Sequence, residues 1–170
     1  MPTAQATTLT SLWSASATGD PPVPGATRDT ALMSSANLDL VRSIYADWER
    51  GHFMSVEWAD PECEFVIVGG PEPVSRRGVA EMAESWQEWV RGWKDYRVEA
   101  DEYREIDDDR VLVLTRSSAH GKAGGLVVGQ LRAKGAVLYH VREGKVTRLV
   151  YYWDRDRALA DLGLTPAAGT

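Results

Sequence analysis

The sequence predicts an α+β fold: a strongly curved antiparallel sheet wrapped around three main helices, with an internal pocket between them. Three observations predict it. The stretch from Val111 to Asp154 is β-branched and aromatic, alternates in polarity and is broken by turn residues at short intervals, as an antiparallel meander requires. Two stretches ahead of it, 37–50 and 79–91, place their apolar residues on one side at helical spacing. Seven Trp in 170 residues is a heavy aromatic load, which gathers either as core or around a flat ligand.

Composition bounds the possibilities. Hydrophobic residues make up 44% and charged residues 26%, as in an ordinary globular chain. The net charge of −6 and the lack of a basic block argue against nucleic acid, which needs clustered Lys and Arg to neutralise phosphates. Cys63 is the single cysteine, so no intrachain disulfide forms, and a reducing cytoplasm is the expected compartment. No apolar run approaches the ~20 residues of a membrane span, so no membrane partner is expected.

Residues 1–33 are rich in Ala, Thr, Ser, Pro and Gly, with PPVPG at 21–25, and read as a disordered tail. Residues 34–164 form the domain and 165–170 a flexible C-terminus. The first helix is expected from Asn37, its N-cap, to Arg50, with Leu38, Val41, Ile44, Tyr45 and Trp48 in one buried stripe and Gly51 as its stop. Phe53 to Ala59 reads as a short second helix broken by Asp60-Pro61. Cys63 to Val68 reads as the first strand, followed by an exposed loop to Arg77. The third helix runs from Val79 to Arg91. Its stripe is Val79, Met82, Trp86 and Trp89, and Gly92 takes a left-handed stop with Trp93 folded back. Tyr96 to Ile106 and Val111 to His120 pair across an Asp107–Asp109 turn. Leu126 to Val141 is long enough to need a bulge near Gly129 or Gly135. Glu143-Gly144 makes a tight hairpin into a last strand, Val146 to Trp153. Asp154 or Asp156 caps a short final helix ending at Gly163.

This order of elements, carried by VRSIYADWERGHF, WADPECEF, DDRVLVLTR and LYHVREGKVTRLVYYWDRDRALADLGL, resembles the NTF2-like superfamily, and within it the SnoaL-like bacterial proteins related to polyketide cyclases. The resemblance spans about residues 37–164. It implies a cone with an apolar cavity at its open end, but the fold hosts enzymes and binding modules alike. Aligned to the ketosteroid isomerases of the superfamily, the oxyanion Tyr falls at Ile44, the general base at Val66 and the neutral acid at Val137. A one-residue change of register brings in Tyr45. All three aligned positions are apolar, so steroid isomerase activity is disfavoured. SnoaL-type cyclases imply instead an acid/base carboxylate in a Trp-Asp context, which Trp153-Asp154 resembles.

Asp154 is therefore the candidate catalytic residue. Strand parity turns Leu149, Tyr151 and Trp153 toward the cavity and Asp154 away, where it would cap the final helix. The candidate ligand-binding residues are Tyr45, Trp48, Trp86, Trp89, Tyr139, Tyr151 and Trp153, with Thr115, Ser117 and Gln130 as further polar contacts. His52, His120 and His140 lack ligand-like spacing, so no metal is expected, and nothing calls for a cofactor. Two acids flank Cys63 and should raise its thiol pKa. The expected function is binding of a small hydrophobic molecule, aromatic or polycyclic. The alternative is a cyclase, isomerase or epoxide hydrolase-type enzyme working through Asp154. Related cones imply a homodimer, here through an outer patch of Leu138, His140, Arg148, Val150 and Tyr152.

Overall fold

The computed structural model describes residues 26–69, 72–123 and 126–166. Most of the expected tail, residues 1–25, and the end of the C-terminus, 167–170, lie outside the described residues. The elements are α1 (Ala26–Glu49), β1 (Ala59–Val68), β2 (Val74–Arg77), α2 (Val79–Arg91), β3 (Trp93–Glu105), β4 (Arg110–Ala123), β5 (Leu126–Arg142), β6 (Lys145–Tyr152) and α3 (Arg155–Asp161). The six strands form one sheet in the order β2-β1-β6-β5-β4-β3. The pairs are antiparallel except β1 with β6, which runs parallel. That exception follows from the topology, because β1 is separated from β6 by the whole meander and lies down beside it in the same direction.

The sheet is apolar on both faces. Its inner face carries Phe65, Val98, Val111, Val113, Val137, Tyr139, Leu149 and Tyr151, and packs on Val41, Ile44 and Tyr45 of α1 and Met82 of α2. Its outer face carries Val66, Val68, Leu112, Leu114, Ala136, Leu138, Val150 and Tyr152, and packs on Ala158 and Leu159 of α3. The alternation of these two sets along the central parts of β1, β4, β5 and β6 is the period-2 pattern seen in the sequence. The outer face was expected to bear the dimer patch. Leu138, Val150 and Tyr152 are instead covered, 4%, 5% and 7% exposed, in a cluster completed by α3 and the partly buried Leu162 and Leu164. Buried apolar side chains stabilise by about 1.5–3 kcal/mol each, which α3 gains by closing over them.

Several expected boundaries move. α1 begins at Ala26, so Asn37 is inside the helix, and its amide donates to the carbonyl of Asp108 at 2.8 Å instead of capping. Residues 53–58 form turns, not a helix, and β1 starts at Ala59, running through Asp60-Pro61 with a register shift between Ala59 and Glu64. The proline is tolerated because the irregular segment has no continuous ladder to break. The expected loop before Arg77 contains the exposed edge strand β2. Gly92 sits at φ −73°, ψ −8°, not in the left-handed region, and the chain leaves α2 directly into β3. Trp93 still touches Trp89, with ring centroids 5.3 Å apart. The hairpin has φ +50° at Glu143 and +75° at Gly144, the paired positive values of a type I′ turn. Of the two expected bulge sites, the register shift between Gly121 and Lys122 falls opposite Gly129. Gly135 is instead a point of close approach: a Cβ there would lie 2.6 Å from the Tyr152 carbonyl oxygen.

Candidate functional site

The helices and inner sheet face do not fill the cone completely. Trp48 comes from the last turn of α1, and Gly51, at φ +83°, turns the chain back across the cone. The following segment drops Phe53, Val56 and Trp58 over the gap. It is held compact by His52 N–H to the Asp47 carbonyl (2.9 Å), the Trp58 indole N–H to the Ser55 carbonyl (2.7 Å) and Ala59 N–H to the Val56 carbonyl (3.0 Å). α2 contributes Met82, Ala83 and Trp86. The sheet contributes Phe65, Tyr96, Val98, Val137, Leu149 and Tyr151. Together they enclose an apolar cavity. Centres of water-sized spheres can occupy only about 40 Å³ of it, room for a very few waters.

The wall of this cavity is a continuous aromatic cluster. Trp48 and Trp86 stack with centroids 5.7 Å apart and planes 20° apart. Phe53 lies 6.4 Å from each and 5.7 Å from Tyr96, and Trp58 packs edge-on to Trp48 at 6.3 Å. Two open spaces adjoin the wall. A groove of about 690 Å³ beside Glu49, Arg50, Arg97 and Glu99 shares Trp48, Phe53, Tyr96 and Val98 with the cavity. A crevice of about 260 Å³ between α2 and the sheet, bounded by Ser85, Glu88, Trp89 and Trp153, shares Phe65, Trp86 and Tyr151. The cavity is partly open and shares lining side chains with both spaces.

Polar groups gather around Tyr151, which lines both cavity and crevice. The hydroxyls of Tyr96, Tyr151 and Ser117 and the Trp89 indole lie near enough to hydrogen-bond with one another, although Ser117 lines neither space. The Trp86 indole N–H and the Thr115 hydroxyl are buried without a hydrogen-bond partner. Burial, then the neighbouring Tyr151, raises the Tyr96 pKa, and burial raises that of Tyr151, so both phenols keep their protons. No Asp, Glu, His, Lys, Arg or Cys side chain lines the cavity among the described residues.

The expected site residues separate into three groups. Trp48, Trp86 and Tyr151 line the cavity, and Trp89 and Trp153 line the crevice. Tyr45 and Tyr139 are in the core away from both, fully buried, with Tyr139 Oη donating to Tyr45 Oη at 3.1 Å, and burial raises both pKa values. Asp154 is exposed at the N-terminus of α3, where its Oδ1 accepts from the Asp156 N–H at 2.9 Å. Gln130 is exposed and His140 half-buried on the outer face. The thiol of Cys63 is pushed up to about 11 by burial and then by Asp60 and Glu64. The isomerase alignment placed a catalytic position at Val66, but Val66 faces outward. Its inward neighbours, Phe65 and Ile67, are equally apolar.

Phe53, Trp58 and Tyr96 were missed. The first two were assigned to a helix that does not form. Tyr96 alternates with the exposed Arg97 and shares the inner face with Val98, as the charged outer positions of the strand imply, but it was not singled out as a lining residue.

Among curated proteins none matches the sequence. Solved structures that share the fold include a candidate SnoaL-like polyketide cyclase from Jannaschia sp. CCS1, at TM-score 0.60 and 13% identity, covering 78% of this chain and 94% of that one. An NTF2-like protein of unknown function from Burkholderia pseudomallei K96243 aligns at TM-score 0.60 and 15% identity, covering 74% and 95%. TerC, crystallised with polyporic acid, aligns at 0.55 and 20%, covering 75% and 97%. At these identities the likeness is one of fold. The sequence itself matches the model of the SnoaL-like domain over residues 41–149, from α1 to β6. The chain therefore belongs to the SnoaL-like domain family, on the NTF2-like cone.

Proposed function

We propose that this SnoaL-like domain binds a small, flat, hydrophobic molecule of one or two rings inside the cone. The observation that carries the reading is the aromatic-walled cavity, which is partly open and shares Phe53 with the groove and Trp86 with the crevice. Phe53 stands on a turn segment, outside any helix or strand, so its movement breaks no ladder. The cavity is too small for a polycycle, and a ligand takes up volume by parting the Trp48–Trp86 stack. Aromatic faces then replace one another, which preserves contact area. The lack of an Asp, Glu, His, Lys, Arg or Cys side chain in the lining among the described residues favours binding over acid/base turnover. The position of Asp154 as an exposed helix cap gives the cyclase alternative no support.

The test is a thermal-shift titration with indane, a bicyclic hydrocarbon. Saturation at 100 times the dissociation constant adds about 2.7 kcal/mol of stability. Ala83→Phe, which fills the cavity from α2, should abolish the shift while circular dichroism shows the fold retained. Equal binding by the filled variant would reject the cavity as the site.

A further inference from the structure

We propose that the crevice between α2 and the sheet is a second binding site, and that it takes a small organic cation, an ammonium group carrying three or four alkyl substituents. The inference is independent of the cavity reading, because it concerns a different space and a charged ligand.

The crevice, about 260 Å³, has an aromatic wall and an acidic rim. Trp86, Trp89, Tyr151 and Trp153 line it, and Glu88 is the one charged side chain in its lining among the described residues. The three Trp side chains are only partly buried. Trp153 meets Trp89 at 4.8 Å with planes 63° apart, and Tyr151 at 5.1 Å with planes 80° apart. The wall is therefore made of rings set in steeply inclined planes. Trp153 is fixed in it by the backbone: its N–H donates to the Val68 carbonyl at 3.1 Å, and a Cβ on Gly69 would collide with its ring.

Charge decides which ligand suits such a wall. An adjoining groove of about 320 Å³, lined by Arg76, Glu81 and Glu84, shares Ser85 and Glu88 with the crevice. Glu81, Glu84 and Glu88 are exposed, and none of them enters an ion pair among the described residues. Three carboxylates against one guanidinium leave the rim negative, and no Lys, Arg or His lines the crevice itself among the described residues. The faces of Trp and Tyr rings attract a cation and repel an anion. N-alkyl groups add apolar surface for the Trp rings to cover, which a bare metal ion or a primary ammonium does not bring.

Three probes of matched shape test the proposal by isothermal titration calorimetry on the full chain: choline, its uncharged carbon analogue 3,3-dimethyl-1-butanol, and 3,3-dimethylbutanoate. The expected result is choline binding about tenfold more tightly than the alcohol, with the carboxylate weakest. Glu88→Gln changes an exposed side chain outside the cavity wall. It should cut the choline preference to about threefold, the scale of one solvent-screened charge, while indane binds as before. Trp89→Leu, which removes an aromatic face, should also lower the preference, with circular dichroism showing the fold retained. Equal affinity of choline and the alcohol would overturn the inference. So would a choline preference unchanged in Glu88→Gln. Failure of all three probes to bind would overturn it too, even if sedimentation then showed a second copy of the chain over the crevice. Indane binding in any of these cases would leave the cavity reading standing.

Discussion

Trp86 shows how much one side chain decides here. Its ring stacks on Trp48, meets Tyr96 edge-on at 5.7 Å and lines both cavity and crevice, while its N–H is left without a partner. Its inward orientation was legible, because Val79, Met82, Trp86 and Trp89 share a helical stripe. Its place in a cavity wall was not, because that wall also needs Phe53, from a turn segment whose pattern imitated a helix. Asp154 was legible in a different way. Strand parity turned it outward, and the structure places it as the cap of α3. Asn caps as well as Asp, so Asp154→Asn should leave both the thermal midpoint and indane binding unchanged. Asp154→Ala should cost about 1 kcal/mol in urea unfolding. Loss of ligand binding in Asp154→Asn would show that the carboxylate does more than cap.

At the scale of elements, long-range contacts explain what the local pattern could not. The parallel placement of β1 beside β6, the bulge at Asp95 and the edge strand β2 are all fixed by pairing partners distant in sequence. The β5–β6 hairpin, by contrast, was readable from Glu143-Gly144 alone. Where β5 passes the end of β6, Gly135 leaves no room for a side chain. Gly135→Ala should cost about 1–3 kcal/mol, since the obstructing atom is the backbone oxygen of Tyr152 and cannot simply rotate away. On the outer face of β5, burial pushes the His140 pKa down, reinforced by Arg148, Arg110 and Arg142 and only partly opposed by Asp107. The folded state therefore favours the neutral imidazole, while the unfolded chain takes up a proton near pH 6.5. Stability from this residue is complete above that pH and declines as pH falls below it. His140→Gln should flatten the change in urea midpoint between pH 7.5 and 5.5.

At the scale of the molecule, the cone is a sheet with two apolar faces and two different covers. The inner cover, α1 and α2, leaves a gap. The outer cover, α3 with Leu162 and Leu164, shields the face expected to pair two copies. The amphipathic strands made the sheet legible, but not which face a short terminal helix would choose. Leu159 is 2% exposed and anchors that cover. Leu159→Ala should cost about 2–5 kcal/mol, and Leu159→Asp should uncover Val150, Tyr152 and Leu138 and raise the sedimentation coefficient through self-association. No helix among the described residues is long and apolar enough to cross a membrane.

The central claim is that a ligand binds inside the cone against Trp86. The most direct measurement is a proton–nitrogen NMR titration of the Trp indole N–H signals with indane, the Trp86 signal being assigned by its disappearance in Trp86→Phe. The account predicts a saturable shift of the Trp86 resonance that is absent in Ala83→Phe. An unmoved Trp86 signal while the probe saturates the protein elsewhere, or no saturable shift of any indole at millimolar probe, would contradict it.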